Sequence, residues 1–498
     1  MIGEEADVAS AVTVALTAEG YRVRLMSPGA GDISRAVTVR ERLELHLHRS
    51  LTVAAGEPPG LSRRTESIAG VINLLALENK ETPLTAAAWT FQVVKEFADD
   101  LQASAANGGG WFVNVTALDG HFGLGPLVPM RSMETHLAAA GTLGTVKTLR
   151  REYPRLRVKN IDVEPNMPAD MLAARLLQEL TMEDDLVEVG LTREGRWCPA
   201  LREEQIECDL APLTLDQQSV ILVTGGARGI TAHIARRLAE EARPRLILVG
   251  RSPLPEVETP RKAGLDRAGL RKLLLDEART RGGSMVPAEI ERDVNAILRD
   301  REIRATLDAC TTAGAEVEYH ALDVRDGEAF GQLIDSLYER FGRIDGVIHG
   351  AGIIDDRRIR DKSLDSFAAV FRTKVDSAWT LARQLRPESL KFLAFFGSVS
   401  GRFGNAGQVD YSAANEALNK LADYLHRRWP GRVVCLNWGP WEGGMVSEEL
   451  RRLYAGAGIE LVPVEEGVAA FLAEIRRMDR GGAEVVLARG VERLSILV

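Results

Sequence analysis

Four polar residues occur at spacings that could move a proton. Ser398 ends an apolar run, Tyr411 follows it by 13 residues, and Asn415 lies four residues further on. Tyr411 and Asn415 therefore share one face of a predicted helix. Lys374 lies 37 residues before Tyr411. A phenol with a reference pKa of about 10 is a slow acid at neutral pH, but a nearby ammonium favours its ionised form. The set predicts a group that protonates an oxygen atom while hydride reaches the adjoining carbon.

Each of these residues also has a structural explanation. Ser398 could cap a helix, Lys374 could be a surface charge, and Asn415 could satisfy a backbone carbonyl. The joint occurrence of all four residues favours the chemical interpretation.

A glycine-rich turn could hold the hydride carrier. The strand-like run SVILVTGG leads into the turn and the helical run ITAHIARRLAEEA leaves it. In that context, glycines let the backbone approach a pyrophosphate at a helix N-terminus. A tight turn could also require glycines for steric reasons alone. Thr231 stands where a third glycine is common, which predicts slightly wider packing of the helix. The predicted contacts are Gly225, Gly226, Arg228, Gly229 and Ile230.

The end of the next strand indicates which nucleotide is bound. Arg251 and Ser252 stand where many NAD-binding folds place a carboxylate against the ribose 2′-hydroxyl. A guanidinium pairs with a 2′-phosphate, so Arg251 favours NADPH over NADH; the alternative is a solvated arginine. Asp323, which follows the strand EVEYHALDV, is placed to bond the adenine edge or to cap the next helix.

Strand and helix patterns alternate along most of the chain, which predicts an α/β fold with parallel sheets. The first half has no glycine-rich phosphate turn, so we expect a structural role for residues 1–212. Residues 213–498 carry the turn and the four polar residues. Residues 253 to about 307 are rich in charge and helix-forming residues, and we expect them to form a helical insertion on the surface.

Composition excludes several functions. Lys and Arg total 62 against 71 Asp and Glu, for a net charge of −9, so nucleic acid and anionic membranes are disfavoured partners. No apolar stretch is long enough for a membrane span, and we expect a cytoplasmic protein. The four cysteines are widely spaced and the histidines do not form a metal-ligand pattern, so we expect no metal site.

The chain resembles the extended short-chain dehydrogenase/reductase superfamily, specifically the ketoreductase domains of type I polyketide and polyunsaturated fatty acid synthases. Most of that superfamily carries YxxxK with an upstream asparagine, whereas in multienzyme ketoreductases the lysine and the asparagine exchange positions. Here Tyr411 precedes Asn415 and Lys374 lies upstream, which is the exchanged arrangement. The form VTGGARGITAHIA, the insertion after GRS and the segment NWGPWEGGMV resemble the polyunsaturated fatty acid synthase branch.

The resemblance implies two Rossmann-like subdomains, the first truncated and structural, the second catalytic and specific for NADPH. It implies that Tyr411 donates the proton, Ser398 holds the carbonyl oxygen, Lys374 reprotonates the tyrosine and Asn415 completes the relay. Further cofactor contacts implied in this way are Val324, Ala351, Gly352 and Pro440.

The resemblance also implies the substrate, a β-ketoacyl thioester on the phosphopantetheine arm of an acyl carrier protein, with other synthase domains as partners. Asp356 matches the diagnostic acid of ketoreductases that form the D (3R) alcohol, and Phe403 replaces the tryptophan of the opposite class. Met445 and Leu453, in a predicted lid, could contact the acyl chain or pack the lid on the core. Two alternatives are a free-standing ketone reductase and a nucleotide-binding scaffold without turnover.

Overall fold

The protein is described by a computed structural model. It describes residues 5–19, 22–26, 50–54, 68–77, 82–106, 109–125, 132–204, 214–254, 258–280, 286–442, 448–456, 458–477 and 481–490. Within these residues the chain forms two seven-stranded sheets with helices on both faces. The predicted boundary at 212/213 falls outside the described residues, between the last strand of one sheet and the first strand of the other.

The first sheet is mixed. Its strands are β1 Arg22–Met26, β2 Ser50–Ala54, β3 Ile68–Ala76, β4 Trp111–Thr116, β5 Arg157–Val163, β6 Glu188–Leu191 and β7 Arg196–Trp197, and they are neighbours in chain order. The strands β3 to β6 are parallel, as predicted. The prediction was wrong for β1, β2 and β7, which run antiparallel to their neighbours. Antiparallel neighbours need no helical crossover, so the alternation that indicates parallel strands does not extend to them.

Helices cover both faces of this sheet. They are α1 Glu5–Ala18, α2 Pro83–Ala105, α3 Met133–Glu152 and α4 Ala169–Thr181. Successive residues of β3 point to opposite faces, so Val71 packs with α2 and α3 while Ile72 packs with α1 and α4. Two apolar layers of this kind require both faces to be covered.

The second sheet is entirely parallel. Its strands are β8 Val220–Thr224, β9 Arg245–Gly250, β10 Glu316–Ala321, β11 Gly346–His349, β12 Phe392–Ser398, β13 Arg432–Trp438 and β14 Glu484–Leu487. Their order is β10-β9-β8-β11-β12-β13-β14. The strand order reverses between β8 and β11, and ligands of such sheets bind at the carboxyl ends of the strands beside that reversal.

The helices of this half are α5 Gly229–Ala242, α6 Arg267–Thr280, α7 Pro287–Thr312, α8 Gly327–Phe341, α9 Leu364–Gln384, α10 Val399–Phe403, α11 Val409–His426, α12 Glu448–Gly456 and α13 Val464–Ile475. The predicted insertion corresponds to α6 and most of α7. Because α7 packs on α5 and continues to the start of β10, it also serves as the crossover that parallel β9 and β10 require.

The two halves share one apolar core. Side chains of α2 and α3 belong to the same buried cluster as those of α9 and α11. The backbones of α3 and α11 approach closely at Gly144, where a β-carbon would overlap the Ser412 carbonyl. In the part of the chain that the structure describes, no helix is long and apolar enough to cross a membrane.

Candidate active site

The glycine turn after β8 packs closely against the loop after β11. Gly225 has φ +70°, and a β-carbon there would lie 3.0 Å from the carbonyl oxygen of Gly350. A β-carbon at Gly226 would overlap Val223. The turn therefore needs glycine on steric grounds, because the Gly350 backbone and the Val223 side chain leave no room for a β-carbon.

Thr231 packs against the loop that follows β11. Its methyl group fills the space where Gly350 would carry a β-carbon, and its hydroxyl donates to the Gly225 carbonyl at 2.5 Å. A glycine on the neighbouring loop thus accommodates the larger residue on α5. The compensation lies 119 residues away along the chain, which is why local sequence did not reveal it.

A carboxylate covers the start of α5. The Gly229 backbone N–H donates to Glu302 Oε1 at 2.7 Å, and Arg228 Nε pairs with Glu302 Oε2 at 3.1 Å. Ile230, the next residue, is half-buried against the apolar cluster that includes Val223 of β8 and Ile234 of α5. Glu302 lies on α7 and was not among the predicted residues, because nothing in its local pattern links it to the turn.

Some of the residues predicted to contact the nucleoside part of the cofactor make hydrogen bonds and ion pairs within the protein. Arg251 is exposed, and its charge helps to lower the pKa of Asp323, which hydrogen bonds from Arg325 lower most. The Asp323 carboxylate pairs with Arg325 at 2.6 Å. The alternative that Asp323 caps α8 is wrong, because Asp326 caps it by accepting from the Ala329 N–H. The carbonyl of Ser252 accepts from the Tyr319 hydroxyl at 2.7 Å.

The other predicted cofactor residues line the strand ends. Val324 and Ala351 are buried, and the Ala351 N–H donates to Thr224 Oγ1 at 3.2 Å. Gly352 follows Ala351 after β11. Pro440 is half-buried after β13, where its carbonyl accepts from the Val462 N–H at 2.7 Å.

Lys374 lies inside the protein, not on its surface. Its side chain is 3% exposed, and Nζ donates to the Phe396 carbonyl at 2.7 Å. A β-carbon at Gly352 would lie 3.1 Å from the lysine side chain, so the glycine leaves space for it. The Lys374 ammonium lies 5.4 Å from the centroid of the Tyr411 ring. Burial lowers the pKa of Lys374 to about 8.

His349 braces this arrangement and was missed by the sequence analysis. One ring nitrogen lies 2.8 Å from Thr224 Oγ1, and the other lies 3.0 Å from the Lys374 carbonyl oxygen. Burial, reinforced by the charge of Lys374, lowers the pKa of His349 to about 3, so the ring is neutral. It connects the end of β8 to the helix that carries the lysine.

Tyr411 and Asn415 lie on α11, one turn apart. The Asn415 side chain donates to the Tyr411 carbonyl at 2.8 Å, which is the structural alternative considered above. Its Oδ1 atom is buried and has no hydrogen-bond partner among the described residues, so it can still accept a hydrogen bond. Burial raises the pKa of Tyr411 to about 12, and the nearby carboxylate of Asp356 adds to this. The expected acidification of the phenol is therefore absent from this arrangement.

Ser398 ends β12 and caps α10. Its hydroxyl accepts from the Ser400 N–H at 3.2 Å and lies 3.2 Å from the Ser400 hydroxyl. The Ser400 hydroxyl donates to Gln408 Oε1 at 2.7 Å, and Gln408 Nε2 donates to the Asp356 carboxylate at 3.0 Å. Gln408, which was also not predicted, thus joins the expected stereochemical acid to the serine loop.

Of the remaining substrate-side residues, Asp356 lies near Tyr411. Burial raises the pKa of Asp356, and its charge raises the pKa of both Tyr411 and Tyr454. Tyr454 lies on α12, inside the predicted lid. Phe403 is half-buried at the end of α10, and its carbonyl accepts from Arg151 of α3 at 3.0 Å. Met445 lies outside the described residues, and so does the side chain of Leu453. Within the described residues, no cluster of His, Cys, Asp or Glu could hold a metal ion.

Comparison with known proteins finds a family match for the second half of the chain. Residues 219–443 match the family model of the KR domain. The chain contains a ketoreductase (KR) domain. The matched residues include the glycine turn and all four polar residues described above.

Curated relatives belong to large synthases. The chain is 29% identical over 416 residues to one subunit of the polyunsaturated fatty acid synthase from a Thraustochytrium species, covering 81% of this chain and 15% of the relative. It is 34% identical over 231 residues to the polyketide synthase GfsB of Streptomyces halstedii, covering 46% of this chain and 3% of the relative. The chain thus spans only a small part of these relatives.

Solved ketoreductases share the fold. A ketoreductase domain from the bacillaene assembly line aligns with a TM-score of 0.63 at 21% identity, covering 91% of this chain and 100% of that chain. The first ketoreductase of the tylosin synthase aligns with a TM-score of 0.57 at 24% identity, covering 84% of this chain and 77% of that chain. The likeness includes the first half as well as the KR domain.

Proposed function

We propose that this chain reduces a β-ketoacyl thioester, carried by an acyl carrier protein, to the β-hydroxyacyl thioester with NADPH. One observation carries the proposal. The Lys374 ammonium lies against the Tyr411 ring and beside Gly352, near the glycine turn. These residues are at the carboxyl ends of the strands where the strand order reverses. This is where α/β sheets bind ligands, and the pair supplies the proton that carbonyl reduction needs.

The side chains divide the work as follows. NADPH, when bound, supplies the hydride that reaches the ketone carbon. The Tyr411 phenol donates its proton to the ketone oxygen, and Ser398 donates a hydrogen bond to the same oxygen. A pKa of about 12 keeps the phenol protonated at neutral pH. Lys374, with a pKa of about 8, holds its proton weakly and can return one to the tyrosine.

The cofactor would lie along the carboxyl ends of the strands. The amides near Gly225 and Gly229 suit the pyrophosphate, and the guanidinium groups of Arg228 and Arg251 favour a 2′-phosphate. We assign residues 213–498 to the catalytic subdomain and residues 1–212 to the structural one. We further propose a D (3R) alcohol as product, because Asp356 is held close to Tyr411.

Partners and setting follow from the relatives. The curated relatives are polyketide synthases and part of a polyunsaturated fatty acid synthase. We therefore propose that this chain works with other synthase domains and takes its substrate from a phosphopantetheine arm. Nucleic acid and membranes remain disfavoured by the net charge, and the cytoplasmic location stays a prediction.

The experiment compares the parent with Tyr411→Phe. NADPH oxidation is followed with a β-ketoacyl thioester, and NADPH affinity is measured separately. We expect the variant to lose about 10³-fold or more in rate while keeping NADPH affinity, because only the proton donor is removed. Chiral analysis of the hydroxyacyl product tests the stereochemical assignment. Equal rates for the two proteins would contradict the mechanism.

The main alternative is a nucleotide-binding module without turnover. One relative, 37% identical over 162 residues, is described as a putative inactive synthase from Mycobacterium tuberculosis. A parent protein that binds NADPH but oxidises none of it with thioesters or simple ketones would support that alternative. Turnover of simple ketones but of no thioester would instead support a free-standing reductase.

A further inference from the structure

The helix α7 stands against the proposed cofactor turn. It packs on α5, and an open cleft of about 530 Å³ lies between its first half and the loop before α5. Three arginines line the cleft, namely Arg228 from the loop and Arg292 and Arg299 from α7. Glu291 also lines the cleft, but its carboxylate pairs with Arg267 and Arg271, which lie outside the lining. The cleft therefore keeps an excess of positive charge that attracts anions, and Arg is suited to phosphate recognition.

Glu302 of α7 pairs with Arg228, the loop arginine that lines this cleft. Its two carboxylate oxygens engage the Gly229 N–H at 2.7 Å and Arg228 Nε at 3.1 Å. An amide at the start of a helix and a neighbouring guanidinium are the groups that bind a phosphate. The carboxylate therefore occupies the position that suits a nucleotide anion.

This contact can be released without leaving a buried charge. The Glu302 side chain is 40% exposed and that of Arg228 is 50% exposed. An exposed ion pair contributes little to stability, so rotation of Glu302 into water costs little.

The cleft adjoins the predicted nucleoside end of the cofactor site. Tyr319 of β10 donates to the carbonyl of Ser252, which follows β9. Arg299 and Arg228 both lie close enough to Tyr319 to oppose the rise in its pKa that burial causes. Arg299 of α7 thus lies near the strand ends where the adenosine would lie.

We propose that α7 forms one wall of the cofactor's phosphate cleft, and that Glu302 competes with a cofactor phosphate for the Gly229 amide and Arg228. This inference rests on the proposed cofactor site. A bound phosphate displaces Glu302, while Arg292 and Arg299 attract that phosphate to the cleft. Glu302 then sets the affinity for the nucleotide and takes no part in the chemical step.

The test is an equilibrium titration of the whole chain with NADPH and NADH, read by nucleotide fluorescence. Glu302→Gln keeps the shape of the side chain but makes it a weaker competitor. We expect the Kd to fall by about 2- to 5-fold, from the usual strength of an exposed charge at a helix N-terminus. Equal gains for both nucleotides identify the pyrophosphate as the competing group, and a gain for NADPH alone identifies the 2′-phosphate.

Glu291→Gln is the matched control. Glu291 lies on the same helix and lines the same cleft, but its carboxylate pairs with Arg267 at 3.0 Å and with Arg271 at 2.5 Å. We expect its Kd to change less than about twofold, since exposed ion pairs of this kind contribute little. A decrease equal to that of Glu302→Gln would show a general charge effect and overturn the proposal.

Two further measurements distinguish failure of this inference from failure of the proposed function. Adenosine, which has no phosphate, should bind the Glu302→Gln variant and the parent equally. The NADPH-induced rise in melting temperature should be larger for the variant than for the parent. An unchanged or higher Kd for Glu302→Gln overturns this inference alone. A parent protein that binds neither nucleotide overturns the proposed function.

Discussion

The two halves of the molecule have related sheets but different strand orders. In the first sheet, neighbouring strands follow the order of the chain from β1 to β7. In the second, the chain returns from β10 across β8 to reach β11. Among the described strands, only the second sheet therefore has a reversal of strand order, and such a reversal opens a crevice for ligands.

Carboxylates occupy the loops of both halves, but in different ways. Asp162, fully buried at the end of β5, accepts three backbone N–H bonds from residues 118–122. Asp119 accepts three more from residues 121–125. In the second half, Glu302 covers the start of α5 from a half-exposed position.

This difference agrees with the proposed division into a structural half and a half that binds the cofactor. A buried carboxylate with several N–H donors cannot leave without exposing unsatisfied groups to an apolar interior. A half-exposed carboxylate can leave into water. The accessibility of the loop amides, rather than the presence of a strand-helix unit, distinguishes the two halves.

The strongest way to test the active half is Lys374→Met. Removal of the buried ammonium should lower the NADPH oxidation rate by about 10³-fold, because the tyrosine loses its proton source. Stability should change in the opposite direction. The pKa of Lys374 is about 8 in the folded protein, below its unfolded value, so the cost of the buried charge is present below pH 8.

That cost disappears as the pH rises from about 8 to the unfolded pKa of about 10.4. Thermal melts should therefore show Lys374→Met to be more stable than the parent at pH 7, and this advantage should shrink by pH 10. The variant should bind NADPH as the parent does. Full activity in the variant would remove the lysine from the mechanism.

Asp162→Ala tests the structural half. The change leaves three backbone N–H groups and the Thr116 hydroxyl without their acceptor, and we expect a loss of about 4 kcal/mol in unfolding free energy. Denaturant titration measures the loss. Below the new melting temperature, NADPH affinity should stay at the parent value. Weaker binding in a well-folded variant would mean that the first half contributes to the nucleotide site.

Local sequence was sufficient for much of the fold. A Rossmann-like sheet was correctly predicted from the apolar runs of β8 and β12 and from the glycines between β8 and α5. The first sheet was predicted less well, because β1 and β2 pair antiparallel and β2 was not identified. Pairing direction depends on contacts between distant residues, which hydrophobic periodicity does not contain.

The candidate site shows the same limit. Spacing selected Tyr411, Asn415, Lys374 and Ser398, and their catalytic roles stay predictions. It could not reveal His349 or Glu302, because both contact residues of other elements. His349 contacts Thr224, 125 positions earlier, and Lys374 on the following helix α9. Glu302 contacts Gly229, 73 positions earlier. The pKa of Tyr411 was predicted to fall and instead rises, since the degree of burial depends on the assembled fold.

Lys147→Met tests the connection between the halves. Lys147 of α3 is buried and pairs with Glu188 of β6 at 2.9 Å and with Glu416 of α11 at 3.0 Å. Its removal leaves two buried carboxylates without that cation, and we expect a loss of about 3 kcal/mol. In a double-mutant cycle with Glu416→Gln, the two changes should couple by about 1 kcal/mol or more. Additive losses would show that the pair does not join the halves.

Gln408→Leu should have the smallest effect and tests the substrate side of the active half. Gln408 holds the Asp356 carboxylate at 3.0 Å and the Ser400 hydroxyl at 2.7 Å, and Ser400 in turn bonds Ser398. Leucine has a similar size but neither polar group, so both ends lose a hydrogen bond worth about 1 kcal/mol.

We expect the rate with a β-ketoacyl thioester to fall about fivefold, which corresponds to that energy. The proportion of the minor alcohol enantiomer should rise, because Asp356 is no longer held beside Tyr411. Chiral chromatography of the product measures this proportion. A slower variant with an unchanged enantiomer ratio would assign Gln408 to the serine loop alone, and Asp356 would then need another restraint to direct the substrate.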